Sequence, residues 1–263
     1  MPERPILVGS MFYHGDDVVV DADKGLIDES KAARRVAKTL KMAEEYDVSF
    51  VMDIEIPTEA CASAIVDFAK EHVRCPTWIS SFDAETRLKT CEMAIQAGIK
   101  DRIYYSTLNY MSDEKEFRAV AEMGLKPVVQ AFNPEDPFPD GYLAKAEELL
   151  NKATQAGTAM EDMILLPTVL DFGSIPLSMS TIQRLKEKYD LPVCITSVGP
   201  VYKWAKDVSP DTRRLLLASI LTYTVSAGAD LVHMGSVKRA FITFPVLSLL
   251  NKLEERKESL GLS

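Results

Sequence analysis

The sequence predicts an α/β protein built as a single (β/α)8 TIM barrel over residues 1–263, and three observations lead there. Short apolar runs rich in β-branched residues recur eight times along the chain. A segment of helical periodicity follows each run, and each run stops at a polar loop, often one carrying Gly or Asp. Strands buried on both faces read as continuous apolar runs, so this alternation describes a parallel sheet covered by helices. The length suits such a barrel, which commonly uses roughly 250 residues as one domain. An open doubly wound sheet is the alternative, but its Gly-x-Gly-x-x-Gly turn is absent after the first strand. No linker or shift of composition divides the chain.

The first strand is Pro5-Ile-Leu-Val-Gly-Ser10. Tyr13 to Gly25, polar around Val18-Val-Val20, suggests a small hairpin over one end of the core. Asp28 to Glu45 carries Ala33, Val36, Ala37, Leu40 and Ala43 on one helical stripe. Ser49 to Glu55 is the second strand, and Thr58 is expected to cap a helix running to Val73. Thr77 to Ser80 is the third, with a helix to Ala97 closed by Gly98. Arg102 to Ser106 is the fourth, then a helix from Ser112 to Met123. Lys126 to Ala131 is the fifth, followed by a Pro-rich loop, Asn133 to Gly141, and a helix to Ala156. Met163-Ile-Leu-Leu-Pro167 opens the sixth unit, with Asp171 and Gly173 in its exit loop and a helix expected from Ser178 or Ser180 to Tyr189. Pro192 to Ser197 is the seventh strand, and Ser209-Pro210-Asp211 starts the next helix with a capping serine and a proline in its first turn. Leu231 to Met234 is the eighth strand, and a helix from Lys238 closes the chain.

Composition narrows the function. The chain is 47% hydrophobic and 26% charged, as expected of a globular protein with a large core. Its net charge of −9 argues against a nucleic-acid or anionic-membrane surface, because both need a cationic footprint. No apolar run approaches a membrane span, and the start at Met1-Pro-Glu-Arg-Pro5 lacks the apolar stretch of a secretory signal. The four cysteines, Cys61, Cys75, Cys91 and Cys194, form no Cys-x-x-Cys pair and read as reduced thiols of a cytoplasmic protein.

In a barrel of this type the carboxyl ends of the strands form the site. The residues leaving the strands are Ser10, Asp53, Glu55, Ser80, Ser81, Ser106, Asn109, Gln130, Asn133, Asp171, Thr196, Ser197, His233 and Ser236. They make a rim of short polar side chains, mostly neutral, with three carboxylates. No strand ends in a lysine suited to Schiff-base chemistry. The histidines His14, His72 and His233 are too scattered in sequence for a metal-ligand cluster, and no Gly-x-Ser-x-Gly elbow is present. Chemistry by positioning, without a metal in the barrel, is the expectation. Asp53 and Glu55 share strand parity and point the same way. A ligand with an adjacent N–H and amino group, such as a pterin edge, would supply their donors. An arginine partner or a helix cap would serve equally well. Asn109, Asn133 and Asp171 fit either a turn or a ligand contact. Gly235-Ser236 with Lys238 and Arg239 could cradle a phosphate or form an ordinary cap. Tyr202 and Trp204 could stack on a planar ligand or pack on helices.

Pro5-Ile-Leu-Val-Gly-Ser-Met-Phe-Tyr13, Arg102-Ile-Tyr-Tyr-Ser-Thr-Leu-Asn109, Thr168-Val-Leu-Asp-Phe-Gly-Ser-Ile175 and Phe244-Pro245 together resemble the H subunit, a methyltransferase, of the tetrahydromethanopterin–coenzyme M methyltransferase complex. The resemblance runs from the first strand to the last. It is nearer still to that protein's shorter bacterial relatives, the tetrahydrofolate methyltransferases of corrinoid-dependent O-demethylase and glycine-betaine demethylase systems. The resemblance implies a pterin-binding barrel, similar in fold to methyltetrahydrofolate:corrinoid methyltransferases and dihydropteroate synthases. It implies tetrahydrofolate or its N5-methyl form as substrate, cobalamin carried by a separate corrinoid-binding protein, and a homodimer. Carried over by position, Asp53 and Asn109 would read the pterin edge, with Asn133 and Asp171 next and Glu55, Ser80, Gln130 and Ser236 around them. The chain departs from the pattern twice. Ile79-Ser80-Ser81 replaces an Ile-Asp-Ser at the third strand, and Thr196-Ser197-Val198-Gly199 stands where relatives carry an Asn near pterin N5. Asn109 and Ser197 are therefore the expected catalytic contacts. The alternatives are a non-catalytic subunit that binds a pterin or the corrinoid partner, and a phosphate-binding barrel enzyme.

Overall fold

A computed structural model describes residues 4–262; Met1, Pro2, Glu3 and Ser263, and with them most of the amino-terminal stretch read for a signal, lie outside the described residues. The elements in chain order are β1 (Ile6–Met11), β2 (Val19–Asp21), β3 (Leu26–Ile27), α1 (Glu29–Tyr46), β4 (Phe50–Glu55), α2 (Ala62–His72), β5 (Thr77–Ser80), α3 (Ala84–Gln96), β6 (Ile103–Leu108) and α4 (Glu114–Glu122). There follow β7 (Lys126–Ala131), α5 (Pro139–Ala156), β8 (Ile164–Pro167), α6 (Ile175–Tyr189), β9 (Cys194–Ile195), α7 (Val198–Trp204), α8 (Pro210–Ser226), β10 (Leu231–Ser236) and α9 (Ala240–Ser259).

Eight strands form one parallel sheet in the order β8-β7-β6-β5-β4-β1-β10-β9. A parallel bridge from Leu165 to Val193 brings its two ends together, and the Leu165 N–H donates to Pro192 O at 2.8 Å. The result is the expected barrel. β2 and β3 form the separate antiparallel hairpin.

Capping side chains start the helices where polar residues precede a periodic run. Asp28, Asp83, Asp113 and Ser209 accept hydrogen bonds from the N–H groups of Lys31, Thr86, Glu116 and Thr212. Several expected boundaries move. Thr58 does not cap its helix; its hydroxyl donates to Ala22 O at 2.6 Å and ties the hairpin to the barrel. α4 is capped by Asp113 rather than begun at Ser112. α6 begins at Ile175, because Pro176 suits a first turn better than the later serines do. The seventh strand shrinks to Cys194–Ile195, since Ser197 already has helical backbone angles and leads into α7, a helix the apolar pattern did not reveal.

Two cores result from strand parity. One lies between sheet and helices and includes Leu7, Met52, Ile54, Val129 and Leu165. The other fills the barrel with Val8, Val51, Trp78, Val128, Ile164, Leu166, Cys194 and Leu231. Burying such a side chain stabilises the fold by roughly 1.5–3 kcal/mol. Two residues further along the same strands stand Ser10, Asp53, Ser80, Gln130, Thr168, Thr196 and His233. A period of two thus converts an apolar plug into a polar floor at the carboxyl ends. All four cysteines are free thiols. Among the described residues, no helix is long and apolar enough to cross a membrane.

Candidate active site at the barrel mouth

Asp53 is the centre of the polar floor. Its Oδ2 accepts from Ser10 Oγ at 2.8 Å and from His233 Nε2 at 3.0 Å, while Oδ1 accepts from Ser80 Oγ at 2.6 Å. The Gly235 N–H donates to His233 Nδ1 at 3.1 Å, which leaves the proton of a neutral ring on Nε2, facing Asp53. Burial opposes the Asp53 charge, but the bonds from His233, Ser80 and Ser10 outweigh it and hold the carboxyl below the usual carboxylate range.

Glu55 lies one layer above Asp53 on the same strand and has the opposite character. No protein donor reaches its carboxyl. Burial, reinforced by the nearby Asp53 charge, pushes its pKa up to about 7. It lines a cavity of about 370 Å³ over the ends of β4 to β8.

Several other polar groups on that wall lack a protein partner. Asn109 Oδ1 accepts the Met111 N–H at 2.8 Å, which shapes its loop, but the amide nitrogen makes no hydrogen bond. Gln130 makes no side-chain hydrogen bond. The buried Thr168 hydroxyl is likewise unpartnered. Buried polar atoms without partners are uncommon, and Thr168 Oγ1 beside the unpaired Asn109 and Gln130 amides makes this cavity a candidate ligand site.

Arg87 reaches the same wall from α3. Its guanidinium donates to Ser81 O and to Glu116, which also accepts from Tyr105 Oη. Burial works against the cation, but Tyr105 and Glu116 more than offset it, and Nε remains an unpartnered buried donor.

The structure distributes the expected site residues unevenly. Glu55, Ser80, Asn109 and Gln130 line the cavity together, whereas Asp53 lies beneath it with its oxygens already occupied. Ser197 is fully buried, its Oγ 2.7 Å from Thr224 Oγ1, and does not reach the cavity. Asn133 Oδ1 accepts the Glu135 N–H at 3.1 Å beside a separate groove. Asp171 accepts the Ser174 N–H at 2.9 Å at the start of α6 and borders a neighbouring cleft. Ser236 accepts from Tyr13 Oη at 3.2 Å and caps the turn before α9.

Two residues of this site, Thr168 and Arg87, were not among the rim residues read from sequence, whereas His233 was. Thr168 follows β8 at the same parity as the other strand-end residues. Arg87 gave no signal, because it comes from a helix rather than a strand end.

The Gly235-Ser236 turn is not an open phosphate cradle. Lys238 is paired with Asp16 at 3.2 Å and with Asp17, and Arg239 Nη1 donates to Met234 O at 2.8 Å. Arg239 also stacks on Tyr202, 4.2 Å from its ring centre. Both cations of the expected cradle thus already have partners within the protein.

A family model described as "Tetrahydromethanopterin S-methyltransferase MtrH subunit" matches residues 2–262. The H subunit of tetrahydromethanopterin S-methyltransferase from Methanothermobacter thermautotrophicus is 26% identical over 259 residues, covering 93% of this chain and 83% of that protein. Its counterpart from Methanococcus vannielii is 24% identical over 282 residues, covering 97% and 87%. Among solved structures, Xanthomonas albilineans dihydropteroate synthase in complex with 7,8-dihydropteroate is similar with a TM-score of 0.71 at 15% identity, covering 96% of this chain and 94% of that one. A Yersinia pestis dihydropteroate synthase with a sulfonamide drug complex gives 0.71 at 12% identity, with 95% of each chain covered. At these identities the structural likeness speaks for a shared barrel fold.

Proposed function

The chain belongs to the MtrH subunit family of tetrahydromethanopterin S-methyltransferase, and on that premise we propose that it moves a methyl group between a corrinoid protein and N5 of tetrahydrofolate. The carrying observation is the cavity of unpartnered polar groups around Glu55. A pterin ring presents N3–H and the 2-amino group side by side, the pair of donors that an isolated carboxylate lacks. Glu55 takes that edge as a carboxylate, and Gln130, Thr168 and Arg87 Nε meet the ring's remaining polar atoms. The Asn109 side-chain amide lies beside N5, where the second lone pair of its Oδ1 accepts the N5–H, taking the place that Ser197 cannot fill from its buried position. Asp53, with Ser10, Ser80 and His233, fixes the floor on which the ring rests. It is a positioning group rather than a ligand contact.

The reaction is an in-line displacement. With tetrahydrofolate as acceptor, the N5 lone pair attacks the methyl carbon, the cobalt–carbon bond breaks with its electron pair staying on cobalt, and the proton that N5 carried is released to water. The corrinoid, carried by a partner protein, supplies or accepts the methyl as second substrate. The barrel's share is orientation: it holds the ring rigidly with N5 toward the mouth, which makes the encounter effectively intramolecular. In reverse, the methyl leaves N5 only when that nitrogen gains positive charge. Asn109 is neutral, and its Oδ1 accepts the N–H of the protonated nitrogen, whereas a fixed charge at N5 would bias the proton equilibrium.

The system served is a bacterial O-demethylase or betaine demethylase, a reading supported by the sequence resemblance. The homodimer is supported by α8 and α9, which pack together and leave Leu215, Tyr223, Leu249 and Leu253 exposed. Sedimentation at micromolar concentration should give twice the 29.2 kDa chain mass; a monomer would refute the dimer. Calorimetry with tetrahydrofolate and with tetrahydromethanopterin tests the substrate. Tighter binding of the folate is expected, and binding of tetrahydromethanopterin alone would overturn that choice.

A further inference from the structure

Beside the cavity lies a second cleft of about 510 Å³, between the loop that leaves β8 and helix α7. Leu170 lines both spaces, which places them side by side. The wall of the cleft is aromatic. Phe172 and Trp204 stack with ring centres 4.3 Å apart and planes within 10°, though 44% and 54% of their surfaces remain exposed. Exposed aromatic faces beside a polar pocket are costly to leave in water and suit a second flat ring.

The charges in the cleft point to the chemistry of the occupant. Lys203 lines it and has no ion-pair partner among the described residues. By contrast, Lys238, on another side of the mouth, is taken by Asp16 and Asp17. Asp171 also lines the cleft, but its Oδ1 is held by the Ser174 N–H, so that one carboxylate oxygen is already engaged. An apolar wall with an uncommitted cation suits an aryl group that ends in a carboxylate.

We propose that this cleft is the subsite for the benzoylglutamate tail of a folate, the aryl ring lying against Trp204 and Phe172 and a glutamate carboxylate pairing with Lys203. The inference rests on the pterin reading of the adjoining cavity and deepens it, because tetrahydropterins differ most in their tails. The head group then anchors in the cavity and the tail leaves past Leu170, which keeps the barrel axis open for the second substrate.

Binding of two ligands, tail-less 6-methyltetrahydropterin and tetrahydrofolate, is measured by calorimetry on the wild type, Trp204→Ala and Lys203→Gln. Both side chains are exposed, so both variants should fold. Tetrahydrofolate should lose about tenfold in affinity in Trp204→Ala, with added salt weakening it further in the wild type but not in Lys203→Gln. 6-Methyltetrahydropterin should bind all three proteins alike. Equal tetrahydrofolate affinity across all three proteins would overturn the subsite while leaving the pterin reading intact. Equal losses for both ligands would overturn it too, because the effect would not belong to the tail. If neither ligand bound the wild type, the pterin reading would fall and the subsite with it.

Discussion

Replacing Glu55 by Gln should make the protein more stable and worse at its task. In the folded protein the Glu55 carboxyl titrates at about 7, against an ordinary value of 4.5. Ionising it within the fold therefore costs about 3 kcal/mol relative to the unfolded chain. Because the folded value is the higher one, the stability linked to this proton is full below the ordinary value and is lost as pH rises through 7. At pH 8 the wild type bears the whole penalty, and Glu55→Gln, which cannot ionise, escapes it. Thermal unfolding at pH 8 should rise by about 5 °C for a chain of this size, with little difference at pH 4. Pterin binding should move the other way. Losing the charge-assisted pair to N3–H and the 2-amino group should weaken it by about 1.5–3 kcal/mol, roughly ten- to a hundredfold. Only the carboxylate form serves as double acceptor, so wild-type affinity should fall about tenfold per pH unit below 7. Near pH 7 binding should release about half a proton, seen as a buffer-dependent heat in calorimetry. A variant that binds pterin as well as wild type, or melts lower at pH 8, would refute this role for Glu55.

Other groups give contrasting signatures. Asp53→Asn places an amide among the donors Ser10, Ser80 and His233, and should cost a few kcal/mol in denaturant unfolding as well as sharply slowing turnover. Since the Asp53 carboxyl is held below its ordinary value, its stabilising effect is present above that value and lost as acid protonates it. Arg87→Met strands the buried Glu116 carboxylate and should destabilise the fold by about 3–5 kcal/mol, whereas Arg87→Met with Glu116→Met should recover much of the loss. Asn109→Ala should leave the melting temperature within a few degrees of wild type and reduce the methyl-transfer rate at least tenfold; an unchanged rate would remove Asn109 from N5.

The barrel was legible because each strand is an apolar run ended by a polar residue, and such runs survive without knowledge of their neighbours. What blurred was local. Ile175 and Pro176 start α6 earlier than the serines suggested, and Val198 to Trp204 carries too little periodicity to announce a helix. Parity also put Asp53 and Glu55 on one face. It could not say that Asp53 would find three donors inside the protein while Glu55 would find none. That difference depends on Ser10 and His233, which come from strands far apart in sequence but adjacent in the barrel. Ser197 looked like a rim residue by position, yet the backbone turns helical there and buries its hydroxyl against Thr224. Arg87 lay beyond any strand-end argument, because a helix delivers it.

The central claim is methyl transfer between a corrinoid and a tetrahydropterin oriented by this cavity. The most direct measurement mixes the protein with a methylated corrinoid protein and tetrahydrofolate and follows the cobalamin absorption. Conversion of the methylated corrinoid to its demethylated, reduced form, with one N5-methyltetrahydrofolate formed per corrinoid, is the predicted result. A spectrum that stays unchanged while calorimetry on the same sample shows bound tetrahydrofolate would contradict it, and would mark the chain as a pterin-binding protein without transfer activity.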